Sequence, residues 1–162
     1  MTSARCLSEL DRLRDLVADF YRKVYGITEP LLYEQGRAGS GSAAADEAGF
    51  PLHAHVCCLP VAADVHGLLE EAYDQQPLSG PFELEAATTG SPYVYVDSAG
   101  RRIVYLPRDD DGRSELTRMR LKRAIAQLIG VPERGYWRDY PGDAELQRLI
   151  PRFAAFLESR VT

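Results

Sequence analysis

Asparagine is absent from this chain and lysine nearly so: Lys23 and Lys122 are the only two lysines among 19 basic residues. Beside abundant Ala, Gly and Pro, this pattern fits a GC-rich coding bias, so arginine enrichment by itself says nothing about anion binding. Long apolar runs are missing as well. None approaches the roughly 20 residues that a membrane span requires, and the net charge is −5. Neither membrane nor nucleic-acid binding driven by bulk charge is therefore expected. Cysteine is scarce, with Cys6, Cys57 and Cys58 making an odd count of which two are adjacent. That is no disulfide framework, and no signal-peptide pattern opens the chain, so a reduced cytoplasmic setting is the expectation. Several motifs are missing too: CxxC, HExxH, the GxSxG elbow and GxGxxG. GRAGSG at 36–41 lacks the lysine of a phosphate-binding loop and reads as a flexible connection.

What is present suits one compact α+β domain over 1–162, long enough to bury a core without disulfide or metal staples. Between Leu7 and Tyr25, Leu10, Leu13, Leu16, Val17, Phe20, Tyr21 and Val24 recur at helical spacing, and Gly26 stands where the helix would stop. Pro30 to Gly36 reads as a strand, 37–49 as a small-residue loop and Leu52 to Leu59 as a second strand. Asp64 can cap a helix through Val65, Leu68, Leu69 and Tyr73, which makes His66 a surface helix residue. Phe82 to Ala86 fits a strand. Tyr93 to Val96 and Arg102 to Leu106 flank DSAG as a hairpin. Helices follow from Ser114 to Ile129, with Gly130 as the stop, and from Asp143 to about Ser159, the last kinked or interrupted at Pro151. Helices and strands mix without regular alternation, which favours α+β over a doubly wound sheet.

The stretch GFPLHAHVCCLP, residues 49–60, gathers two of the three histidines and two of the three cysteines. Side chains on a strand alternate, so His53, His55 and Cys57 share one face while Ala54, Val56 and Cys58 share the other. Two imidazoles two residues apart stand about 6.5 to 7 Å apart along the strand, near enough to address one bound group. Four chemistries fit. The plainest is that these side chains fill half-buried positions, since Cys is among the most buried residue types. A metal site could take two imidazoles and a thiolate, although the usual ligand from a separate element is missing. A cysteine-type triad lacks an orienting acid nearby. In the fourth, a histidine is itself the nucleophile: a neutral imidazole attacks phosphorus and carries the nucleotidyl group, while its neighbour fixes which ring nitrogen is free.

The pattern His53-x-His55-x-Cys57-x-x-Pro60, preceded by Tyr33-Glu34-Gln35-Gly36 and a glycine-rich loop, resembles the histidine triad superfamily of nucleotide hydrolases and transferases. One branch reads approximately F-E-H-G, a variable loop, then H-A-H-L-H-x-x-P. Residues 91–105, SPYVYVDSAGRRIVY, and the later LKRAIAQLIGVPERGYWRDYPG are similar to a hairpin and a helix with tryptophan-arginine segment of that branch. The resemblance spans Leu31 to Gly142. It implies a HIT-like antiparallel sheet with flanking helices, and hydrolysis or transfer of a nucleotidyl group with no cofactor and no resident metal. It also implies His55 as nucleophile and His53 as the residue that orients it. Cys57 stands where the family has a third histidine, and a thiol donates only weakly; the galactose-1-phosphate uridylyltransferase branch similarly keeps two histidines, with glutamine in the third place. Glu34, Gln35 and Gly36 are implied as substrate-binding, Gln35 replacing the family's histidine, although Gln35 reads equally as an ordinary strand-end residue.

The family usually carries several strands before its first long helix, whereas six residues precede Leu7 here. A sheet without those strands exposes an edge and an apolar face. The expected cover is a homodimer joined near residues 7–36, with a separate partner chain as the alternative. A catalytically altered HIT-like binding or assembly protein is the competing class, and a metal-binding HxHxC face the third. Arg113, Arg118, Arg120, Lys122 and Arg123 could serve a polyphosphate or simply form a solvated helix face. Lys122-Arg123 and Trp137-Arg138 match paired residues of the family.

Overall fold

The computed structural model describes residues 4–37, 56–71, 73–80, 83–87, 92–108, 118–135 and 142–160. The first element is a helix, α1 (Ala4–Tyr25). Its end is closed by the Gly26 amide, which returns to the Arg22 carbonyl at 3.1 Å, with Arg22 and Lys23 placed favourably against the negative end of the helix dipole. Among the described residues five strands follow: β1 (Leu31–Arg37), β2 (Cys57–Leu59), β3 (Tyr73–Pro77), β4 (Pro92–Ser98) and β5 (Arg101–Pro107). They form one antiparallel sheet in the order β2-β1-β4-β5-β3. The helices α2 (Glu83–Ala87), α3 (Arg118–Leu128) and α4 (Asp143–Glu158) complete a mixed α+β fold. Among the described residues no helix is long and apolar enough to cross a membrane.

Alternating side chains divide the sheet into two buried faces. On the first, Leu31, Tyr33, Val94, Val96, Ile103, Tyr105 and Tyr73 pack against Val65, Leu69 and the α3 residues Leu121 and Ile125. On the second, Phe20 and Tyr21 of α1 meet Phe156 of α4 with Cys58 beside them, while Leu78, Tyr95 and Val104 meet Leu84 and Ala87 of α2. Helix α4 runs antiparallel to α1: Arg160 pairs with Asp19 at 2.8 Å, the Phe156 and Phe20 rings lie 5.4 Å apart, and Arg152 sits 5.9 Å over Tyr25. It is unbroken through Pro151, so the proline does not interrupt it.

The hairpin expected at DSAG is present, with Asp97 opposite Arg102 and Ser98 opposite Arg101. Ala99 and Gly100 both have positive φ, 49° and 70°, the signature of a tight two-residue turn whose twist matches the strands. Two other expectations fail. The helix read through Val65 and Tyr73 is a single 3₁₀ turn, His66–Leu68, followed by edge strand β3. Its spacing was helical and Asp64 does cap its start, accepting the His66 amide at 3.0 Å, but the tertiary bonds that Arg108 donates to the carbonyls of Glu70, Glu71 and Tyr73 hold the following chain away from a helix. The strand read at Phe82 to Ala86 is helix α2 over its described part, with Glu83 reaching back to the Ser79 amide at 2.8 Å. His66, expected on a helix surface, is fully buried.

Candidate functional site

The site is approached through β1 and β2. Their register pairs Leu31 with Leu59, Leu32 with Cys58 and Tyr33 with Cys57. Directly opposite residues share a face, so Cys57 joins Tyr33 on the first face and Cys58 joins Leu32 on the second. Cys57 is half-buried against the first core, directly across the strand pair from Tyr33. Burial first, and Cys57 second, push the Tyr33 phenol well above its ordinary range. Burial, then Cys57, pushes the Cys58 thiol up to about 11. The Cys58 carbonyl accepts a 3.0 Å bond from Tyr21, whose own phenol burial raises to about 12.

The three β1 residues read as substrate-binding are divided by the pleat. Gln35 pairs with Val94 and faces the Cys57 side. Glu34 and Gly36 face the reverse side, toward α1 and α2. Glu34 is buried, opposite Tyr95 and hydrogen-bonded with Tyr93, whose phenol is pushed strongly upward by burial and then by that carboxylate. Gly36 lies opposite Tyr93, and a Cβ there would fall inside the tyrosine ring. The glycine is what lets the aromatic ring cross the strand. His53 and His55 lie outside the described residues, as does the strand expected from Leu52 to His55. So do Trp137, Arg138 and Arg113, while Lys122 and Arg123 of α3 are half-buried. Among the described residues no group of three or more His, Cys, Asp or Glu side chains is arranged to hold a metal ion.

Two polar clusters were not anticipated from the sequence. On the second face Asp97 gathers Arg102 at 3.2 Å, Arg14 at 3.5 Å and the Tyr95 hydroxyl at 3.5 Å, linking the sheet to α1. The DSAG turn alone predicts that Asp97 opposes Arg102; the Arg14 contact has no local signal. On the first face the His66 ring is held between the Tyr105 hydroxyl, 2.7 Å from Nδ1, and the Ser98 carbonyl, 3.2 Å from Nε2. This chain matches no family model, no curated protein and no solved structure.

Proposed function

We propose that this chain is a nucleotide-processing protein of the histidine triad type, hydrolysing or transferring a nucleotidyl group through a covalent intermediate on His55. The observation that supports it most is the β1–β2 register: Cys57 and Gln35 share one sheet face, and strand alternation in the sequence assigns His53 and His55 to that same face. The proposal requires this register to continue by two residues, which would set His55 opposite Gln35. In the first step a lone pair of the His55 imidazole attacks phosphorus; the P–N bond forms, the P–O bond to the leaving group breaks, and that group departs with the electron pair. In the second step an oxygen of water or another acceptor attacks phosphorus, losing its proton, and the P–N bond breaks. His53 orients the attacking ring, Cys57 and the Gln35 amide face the phosphoryl oxygens, and no metal or cofactor takes part. Water exclusion decides between hydrolysis and transfer.

The test is intact mass after incubation with a panel of nucleotides. An acid-labile nucleotidyl adduct is expected on the native chain and none on His55→Ala, with turnover abolished. A folded His55→Ala that turns over at the native rate would remove the assignment. The competing reading is a HIT-like binding or assembly protein without turnover. It is favoured by Glu34 and Gly36, both committed to packing against Tyr93, and predicts nucleotide binding, or none, with no adduct.

The same reading includes a homodimer in a reduced cytoplasmic setting. Leu13 and Tyr25 of α1 and Leu146, Ile150 and Leu157 of α4 are large apolar side chains left exposed on the two helices that cover the second face. A second copy is the proposed cover, with a separate chain as the alternative. Light scattering across a dilution series should give twice the chain mass down to micromolar concentration. A monodisperse monomer there would defeat the dimer.

A further inference from the structure

Gly36 and Tyr93 are direct cross-strand partners on the second face, and a Cβ on Gly36 would fall among Cε1, Cζ and the hydroxyl oxygen of Tyr93. The outer half of the ring therefore lies across the backbone of β1. Backbone conformation does not call for glycine here, since among the described residues the glycines of positive φ are Gly26, Gly100, Gly130 and Gly142. The ring alone excludes a side chain at 36. Behind the ring stands the cluster that Leu78, Tyr95 and Val104 form with Leu84 and Ala87 of α2, so β1 is pressed from the rear one residue past Gln35. The pressure falls where strand pairing holds β1 least. Among the described residues β2 pairs with β1 only as far as Tyr33, whereas Gln35 and Gly36 are paired on the β4 side alone.

We propose that Tyr93 is a positioning residue for Gln35, its ring seated on Gly36 so that the end of β1 holds one height and one pleat. Successive residues of a strand face opposite ways. A ring on the Gly36 side thus fixes the backbone that carries Gln35 while taking no room from the Cys57 face. This rests on the nucleotidyl-transfer reading for its purpose: there the Gln35 amide faces the phosphoryl oxygens, and a misplacement on the order of 1 Å can cost about a hundredfold in rate. Gly36 serves as the seat of the ring, and its part in the site is indirect. The seating itself can be tested without nucleotide.

The atoms over Gly36 lie beyond the reach of a leucine, which ends at Cδ, so Tyr93→Leu empties the seat. Gly36→Ala should lower the urea midpoint in the native chain and leave it unchanged or raised beside Tyr93→Leu, because alanine is the better strand residue once the ring is gone. An equal loss in both backgrounds would show that the ring is not what excludes a side chain at 36, and would overturn the seating. The second readout is the Gln35 side-chain amide in NMR spectra, assigned by its loss in Gln35→Ala. It should hold its position in Tyr93→Phe, which keeps the ring, and shift or broaden in Tyr93→Leu. A signal unmoved by Tyr93→Leu overturns the proposal, and so does one that Tyr93→Phe displaces as far, since the hydroxyl would then be responsible. With nucleotide, Tyr93→Leu should lower kcat by about tenfold or more while KM stays within about twofold, and should add nothing in a Gln35→Ala background. Equal rate losses in the two backgrounds would mark Tyr93 as merely structural and overturn the link to Gln35. A displaced Gln35 amide in a protein that forms no nucleotidyl adduct would support the positioning and defeat only the nucleotidyl-transfer reading.

Discussion

His66 shows how one side chain can set the course of a whole segment. A carbonyl only accepts, so the proton shared with Ser98 sits on Nε2, and in the tautomer with one ring proton Nδ1 accepts from Tyr105. That ring ties the segment after β2 to the β4–β5 hairpin, with the Asp64–Arg101 pair at 3.1 Å as an exposed supplement. The buried bonds carry the link, because exposed ion pairs contribute little. Tyr105→Phe keeps the aromatic packing but leaves Nδ1 without a donor in a site closed to water. The expected loss is about 1 to 3 kcal/mol, the penalty for an unmet buried polar group, read as a lower urea midpoint with unchanged slope. A midpoint equal to the native one would show that Nδ1 finds another partner. Nothing near His66 in the sequence announces this role: its partners lie 32 and 39 residues away, and a lone histidine in a helically spaced run reads as a solvent-facing residue.

Elements whose instructions are local were legible, and those set by distant partners were not. Helix α1 carries its apolar stripe and its glycine stop within its own residues, and the β4–β5 hairpin carries alternation on both sides of a turn. By contrast β3 has a polar, exposed body, YDQQP, and is a strand because β5 pairs with it and Arg108 seals the turn before it. For the site, alternation correctly separates Cys57 from Cys58, yet it also separates Glu34 and Gly36 from Gln35, a division that a motif read as a continuous string overlooks. Helix α4 gives the complementary case, since Pro151 lies inside it without ending it. Packing of Phe153 and Phe156 against Phe20, at 5.0 and 5.4 Å, outweighs the proline's missing donor. Pro151 is exposed, so Pro151→Ala removes the penalty without disturbing the core. It should stabilise the protein by roughly 1 to 3 kcal/mol, seen as a raised thermal midpoint. An unchanged midpoint would mean that the helix is already bent to accommodate the ring.

At the scale of the whole molecule, buried phenols on both faces of the sheet make the fold a sensor of alkali. Burial is the first cause in each: Tyr21, Tyr95 and Tyr105 are pushed up to about 12, and Tyr33 and Tyr93 rise further. Cys58 moves in the same direction, to about 11. A folded value raised above the unfolded one means that the native state holds its proton longer. Its contribution to stability is complete below the unfolded value, near 9 for the thiol and 10 for the phenols, and is lost as pH climbs toward the folded value. Each group removes about 1.4 kcal/mol per pH unit in that window, so Tyr21, Tyr95 and Tyr105 alone remove roughly 4. A domain of ordinary stability, about 5 to 15 kcal/mol, cannot withstand that slope for long with two further phenols added. The expected behaviour is one cooperative transition beginning above about pH 10, in which tyrosinate absorbance and the loss of circular dichroism rise together. Slow, stepwise ionisation with the dichroism intact would show that water reaches these rings in the native state, and that the two faces are less tightly closed than their packing implies.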